Sequence, residues 1–257
     1  MSTPLHLFSL KDGDPANPPL VILHGLFGSG TNWRSISRAF SGDFHVTCLD
    51  LRNHGNSAWT ETMDYVSMAE DVAETLDREG IRLPVVLGHS MGGKTAMALA
   101  QLGLITLESL VVADIAPVPY SHDHDEFIAA MESVDLASVT RRVDAEQQLS
   151  LDIVDPGIRQ FLLQNLVRRD GGFHWRINLP AIRRSMPALL GWNLAAVTDT
   201  RALFVYGENS RYMTGSGRAA IDHCYTRAEM TPIPDAGHWL HVEQPERFIA
   251  AVTAFLS

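Results

Sequence analysis

Near-continuous apolar runs punctuate the chain: "PLVILHG" from Pro19, "HVTCLDL" from His45, "PVVLGHS" from Pro84, "LESLVVADIA" from Leu107 and "RALFVYGEN" from Arg201. Parallel strands covered on both faces need such runs, since neither face meets water. Between them the period lengthens. Tyr65 to Glu79 sets Met68, Ala69, Val72 and Leu76 on one helical face, and "GGKTAMALAQLG" from Gly92 offers small residues for a helix lying close on a sheet. Near the end, "QPERFIAAVTAFL" starts with Pro245 in a first-turn position and aligns Phe248, Ile249, Val252 and Phe255. Alternating strands and helices predict an open α/β sheet. The alternation stops between Pro117 and Asp199, where helix candidates occur without a strand pattern, one of them opened by Asp155 as cap and Pro156 in the first turn. The expected organisation is a core from residues 1–116 and 200–257 with a helical cap, 117–199, inserted in it.

The 257 residues suffice for one large core or a core with a subdomain. The net charge of −10 is spread in mixed runs with no basic tail, which argues against nucleic-acid partners. The opening "MSTPLHLFSLKDGD" is interrupted by His6 and Ser9 and has no preceding basic segment, so it does not read as a signal peptide, and no run reaches membrane-spanning length. Cys48 and Cys224 lack C-x-x-C spacing and are expected to be buried thiols. These features together predict a cytoplasmic protein.

Chemistry enters with "LGHSMGG", residues 87–93, a G-x-S-x-G centred on Ser90 between a strand pattern and a small-residue helix. That context is the nucleophile elbow, in which Gly88 and Gly92 allow the sharp turn that raises the hydroxyl from the sheet edge. The following helix would point free N–H groups at the site. A serine needs a base, and "IPDAGHWLHVEQPERF" supplies His238, after the flexible Ala236-Gly237 pair, as the candidate. His241 reads as a packing or capping residue. The loop "HGLFGSG" after the first buried run spaces its glycines G-x-x-G-x-G, which fits neither a dinucleotide fingerprint nor a P-loop. It fits the second half of an oxyanion hole, with the N–H groups of Met91 and Leu26 as donors and Phe27 as the alternative to Leu26. His24 is expected to anchor this loop, Asp50 and Arg52 to be scaffold, and Lys94 to lie at the surface or along the helix side. His122 and His124 lack zinc-motif spacing and read as a solvated helix start. No metal or organic cofactor is implied. Phe27 and Trp239 are candidates for the acyl pocket. Between Arg159 and Arg184 the six arginines at 159, 168, 169, 176, 183 and 184 face one acid, Asp170, an excess that would suit an anionic leaving group such as coenzyme A.

Taken together, "HGLFGSGTNW", "DLRNHGNS", "GHSMGGK", "DIAPVPY" and "DAGHW" resemble the α/β-hydrolase fold, and within it the small bacterial esterases related to the abhydrolase domain 11 proteins. The resemblance covers nearly the whole chain and is weakest in the insertion. It implies an eight-stranded, mostly parallel sheet, a helical lid, a Ser-Asp-His triad and hydrolysis of short acyl esters, with acyl-CoA thioesters as a further substrate class. The matching nucleophile is Ser90 and the matching base His238. The acid that commonly follows the strand "RALFVYG" would fall near Ser210, where there is no aspartate. Asp114, ending the run "SLVVA" one strand earlier, takes its place, with Glu208 as rival and Ser210 as an accessory. A serine at position 90 excludes chemistry that needs a carboxylate nucleophile. It leaves open a cofactor-independent lyase, synthase or haloperoxidase on the same triad, and the expected partner is a small acyl ester or acyl-CoA bound by a monomer or small homo-oligomer.

Overall fold

The computed structural model describes residues 3–121 and 124–257. Among them the strands are β1 (Ser9–Asp12), β2 (Pro19–Leu23), β3 (His45–Leu49), β4 (Val85–His89), β5 (Ser109–Ala113), β6 (Leu166–Arg169), β7 (Gly172–Trp175), β8 (Ala202–Gly207) and β9 (Ala228–Ile233). The helices are α1 (Arg34–Phe40), α2 (Tyr65–Arg78), α3 (Met91–Gln101), α4 (Asp125–Ser133), α5 (Arg142–Leu149), α6 (Pro156–Leu163), α7 (Leu179–Leu190), α8 (Gly215–Cys224), α9 (Leu240–Glu243) and α10 (Pro245–Leu256).

The main sheet runs β1-β3-β2-β4-β5-β8-β9. Only the β1–β3 pairing is antiparallel. Among the described residues this sheet has seven strands, so the expectation of eight is corrected. The backbone ahead of β1 is engaged elsewhere: the N–H groups of Leu5 and Leu7 donate to Asp71 Oδ1 and Thr75 Oγ1 on α2, and that of Phe8 donates to Ser57 Oγ. Those donors are therefore satisfied without a further strand.

Side chains alternate across the sheet, as strand geometry requires. Val21, Leu23, Leu110, Val112 and Phe204 join the core under α2, α3 and the inserted segment, while Leu20, Ile22, Val111, Leu203 and Val205 face the core closed by α1 and α10. Every residue of the central strands β4 and β5 is buried, the burial their apolar runs imply. At the sheet edge β9 accommodates Pro232, which a central strand would not.

Between β5 and β8 lie α4 to α7, with Asp155 capping α6 by accepting from the N–H groups of Gly157 and Ile158. This segment also holds the antiparallel hairpin β6–β7, which corrects the expectation that it contains no strand. The hairpin turns on Asp170 and Gly171, both with positive φ (50° and 82°), the two-residue connection that Asp-Gly favours.

Candidate active site

Ser90 follows β4 directly and caps α3, with φ 52° and ψ −118°. A non-glycine residue held in that region costs about 1–3 kcal/mol and persists only where its surroundings force it. Here the forcing is visible. The Ser90 N–H continues the ladder to the Ala113 carbonyl at 3.0 Å, and the flanking turn is so tight that a Cβ on Gly88 would lie 2.2 Å from the Gly92 oxygen, and one on Gly92 2.3 Å from the Leu23 oxygen.

Asp114 occupies the matching position after β5, again at positive φ (53°), with its N–H on the Val205 carbonyl at 2.8 Å. Its carboxylate is fully buried. Oδ1 accepts from the Gly207 N–H at 3.0 Å, and Oδ2 accepts from the Ser210 hydroxyl and lies 2.7 Å from His238 Nδ1. Burial raises the Asp114 pKa to about 6, opposed by the Ser210 and Gly207 hydrogen bonds. His238 Nε2 in turn lies 3.1 Å from Ser90 Oγ. With Nδ1–H donated to the carboxylate, Nε2 is left to accept the serine proton. Glu208 is exposed and, among the described residues, makes no hydrogen bond to His238.

Residues 20–251 match the alpha/beta hydrolase family. The chain belongs to this family. It is 40% identical over 261 residues to the mouse protein "sn-1-specific diacylglycerol lipase ABHD11", an alignment covering 97% of this chain and 84% of that one. It is 37% identical over 242 residues to "Esterase YbfF" of Escherichia coli strain K12, covering 94% of each. Among solved structures it is similar to one titled "Marine microorganism esterase", with 38% identity, a TM-score of 0.94 and coverage of 98% of this chain and 99% of that one. The molecule is thus a hydrolase of the group related to ABHD11 and YbfF.

The loop after β2 in this hydrolase is organised by buried histidines. His24 Nε2 accepts from the Leu51 N–H at 2.9 Å while Nδ1 lies 2.8 Å from the Gly25 oxygen, the anchoring expected of it. His54 accepts the Phe27 N–H at 3.2 Å, so that donor is engaged. The Leu26 N–H has no acceptor among the described residues, and the Met91 N–H, first in α3, has none within the helix. Burial holds His24 near pKa 4 and His54 and His89 near 3, so all three are neutral imidazoles at pH 7. His241 packs flat on Trp33, with ring centroids 4.2 Å apart. Asp50 accepts from the Gly30 and Asn56 N–H groups, and Arg52 forms a fully buried pair with Asp71, which makes both scaffold.

Two cavities meet at Ser90, His124 and Leu26. The first, of about 70 Å³, is walled by Phe27, Phe127, Ile158, Phe161 and Trp239. The second, of about 40 Å³, reaches Lys94. Lys94 is buried, which corrects its expected surface or helix-side position. His124 is half-buried, stacked with Phe127 and edge-on to Phe27, so the solvated helix start expected there is also corrected, while His122 lies outside the described residues.

Sequence reasoning passed over several supports. His89 Nε2 donates to the His238 carbonyl at 2.8 Å, the Tyr212 ring stacks on His238 at 4.0 Å, and Glu243 accepts from the N–H groups of Gly237 and Trp239 on either side of the histidine. The sequence carries no signal for the last, because these contacts form only when the loop closes on α9. The arginine-rich segment is less unbalanced than its sequence implies: Arg183 pairs with Glu132 at 2.7 Å, Arg184 with Glu61, and Arg159 donates to the Ile153 and Val154 carbonyls. Cys48 and Cys224 are free and buried. Among the described residues no helix is long and apolar enough to cross a membrane.

Proposed function

We propose that this chain is a serine carboxylesterase acting on short acyl esters through an acyl-enzyme. The observation that carries the reading is the unbroken contact from Ser90 Oγ through His238 to the buried Asp114 carboxylate. His238 takes the Ser90 proton as Oγ attacks the acyl carbonyl, and Asp114 fixes the imidazole tautomer and offsets the imidazolium charge. The N–H groups of Leu26 and Met91 stabilise the oxyanion, where preorganised donors in a dry site have their largest effect. His238 then protonates the departing alcohol and activates the water that cleaves the acyl-enzyme. Ser210 supports Asp114 and does not replace it.

Residues 117–199 act as the cap over a core of 1–116 and 200–257, with Phe27 and Trp239 in the wall met by substrate. Acyl-CoA thioesters enter the same chemistry, although phosphates reaching Arg183 or Arg184 would first displace the carboxylates of Glu132 and Glu61. We place the protein in the cytoplasm, as a monomer or small homo-oligomer.

Turnover of 4-nitrophenyl acetate and butanoate, beside acetyl- and butanoyl-CoA, tests the reading. The expected result is ester hydrolysis that Ser90→Ala reduces by about 10⁴- to 10⁶-fold. Hydrolysis that survives Ser90→Ala overturns it, and absence of hydrolysis from a folded wild-type protein points to lyase, synthase or haloperoxidase chemistry on the same residues.

A further inference from the structure

Lys94 is the oddity of the site. Its ammonium donates to the carbonyls of Leu190 and Gly191, 3.3 and 3.0 Å away at the end of α7, and lies 5.2 Å from the Tyr65 ring centroid, 4.9 Å from that of Tyr120 and 5.9 Å from that of Trp192. The helix C-terminus and ring faces are partial charges of the right sign. Among the described residues no carboxylate forms an ion pair with it, and none of those walling its cavity is acidic. A buried cation without a counter-ion is costly, several kcal/mol in real proteins. Burial accordingly draws its pKa down to about 7.

The hydroxyls around it are committed: Tyr65 donates to the Leu189 carbonyl at 2.5 Å, and Tyr120 donates to the Tyr212 carbonyl while accepting the Ala116 N–H. They offer the ammonium no anion. Lys94 starts one turn of α3 beyond Ser90, on the order of 6 Å along the helix. Its cavity of about 40 Å³ has room for about three waters. That suits a two- or three-carbon arm.

We propose that this cavity is a subsite for a substrate carboxylate, so that the preferred ester carries a short arm ending in an anion that pairs with Lys94. The proposal rests on the reading of Ser90 as the reacting residue only for its orientation. The bound anion supplies a counter-charge, which the described residues do not, through a charge-assisted hydrogen bond, the strong kind. The arm belongs to the acyl group or to the alcohol, and each source has its own probe. If Lys94 served only to pin α7 through its two carbonyl contacts, charged and neutral esters would respond alike to its removal.

The test is calorimetric binding to the full chain carrying Ser90→Ala, which removes turnover from the readout. Monomethyl succinate (acyl-side charge) is compared with its neutral isostere methyl 4-methylpentanoate, and acetoxyacetate (alcohol-side charge) with isobutyl acetate. At pH 6.5 the charged member of one pair is expected to bind at least about tenfold tighter, an advantage cut to under about threefold by adding Lys94→Met. Lys94→Gln, which keeps a donor toward Leu190 and Gly191, gives the same loss should methionine unfold the chain. With Lys94 in place, the advantage shrinks between pH 6.5 and 8.5 as the ammonium loses its proton. Tyr65, Tyr120 and Tyr212, facing it from α2 and from the loops after β5 and β8, are all shifted upward by burial, beyond that window. His124 also lines the cavity, and an advantage that persists without Lys94 assigns the anion to His124 and overturns the proposal. Equal binding within both pairs overturns it too. Loss of ester turnover in wild-type protein would instead count against the esterase reading and leave these binding results standing.

Discussion

The strand ends that carry Ser90 and Asp114 and the segment inserted between β5 and β8 are held by different means. At the strand ends the main chain fixes the reacting groups: the N–H groups of Ser90 and Asp114 extend the ladder to Ala113 and Val205, both residues sit at positive φ, and Gly88, Gly92 and Gly207 pass so close to neighbouring backbone that a Cβ does not fit. The inserted segment meets the core largely through side chains, with Asn165 Nδ2 on the Phe27 carbonyl, Asn32 on Gln164 and Lys94 on the end of α7, beside main-chain contacts such as Asn178 N–H to the Asn53 carbonyl. It also leaves Leu151 and Val154 exposed. Over-determined backbone holds reacting atoms to fractions of an ångström, and side-chain ties shape access and fit. Changes at the strand ends should therefore cost rate, and changes in the insertion should mainly alter substrate binding.

The sharpest break is Asp114→Asn. With the imidazole tautomer no longer fixed, kcat should fall about 10²- to 10⁴-fold with little change in KM. Glu208→Gln should stay within about threefold of wild type and Ser210→Ala within about tenfold, since neither removes the carboxylate. Steady-state kinetics on a short ester, with circular dichroism to verify folding, checks all three.

Gly92→Ala comes next. Its Cβ must displace the Leu23 oxygen, 2.3 Å away, and the shift passes directly to Ser90. A displacement near 1 Å is enough to cost on the order of 10² in kcat, and thermal unfolding should show a lowered Tm. Full activity in this variant would mean that the elbow tolerates movement, which would erase the contrast with the insertion.

Acidification probes the same seam more gently. Below pH about 6 the Asp114 carboxyl takes a proton and no longer offsets the imidazolium, so kcat/KM should fall about tenfold per pH unit. Stability moves the opposite way for this group. Between pH 3.8 and about 6 the folded state holds a proton that an unfolded aspartate has lost, so its titration stabilises the folded form as pH falls through that window. An activity limb near pH 6 with unchanged circular dichroism is the expected pairing. The smallest effect belongs to the insertion: Asn165→Ala leaves the Phe27 carbonyl without its 2.8 Å donor and should raise KM a few-fold with kcat nearly constant.

The same division explains what could be read from sequence. Buried parallel strands require continuous apolar runs, so β2 to β5 and β8 were legible, and the elbow was legible because close backbone approach demands glycine at fixed offsets from Ser90. Hairpin β6–β7 was missed because "LVRR" and "GFHW" are four residues each, the first ending in two arginines and the second opening on glycine, although Asp170-Gly171 is a turn signal. The strand count came out one too high because the segment before β1 satisfies its N–H groups on Asp71, Thr75 and Ser57, a choice set by tertiary contacts. Lys94 looked like a surface cation because its burial depends on Tyr65, Tyr120 and Trp192, which meet only in the folded chain. Glu243 was missed for the same reason: its hold on Gly237 and Trp239 appears only once the histidine loop is closed.

The account stands on Ser90 as the nucleophile activated by His238 and Asp114. Its most direct test is peptide mapping by mass spectrometry of folded protein treated with a fluorophosphonate, beside Ser90→Ala and Asp114→Asn. The account predicts one adduct per chain, on the peptide containing Ser90, absent from Ser90→Ala and formed at least about 10²-fold more slowly in Asp114→Asn. An adduct on another residue, or ester turnover by a protein that never labels at Ser90, would contradict it.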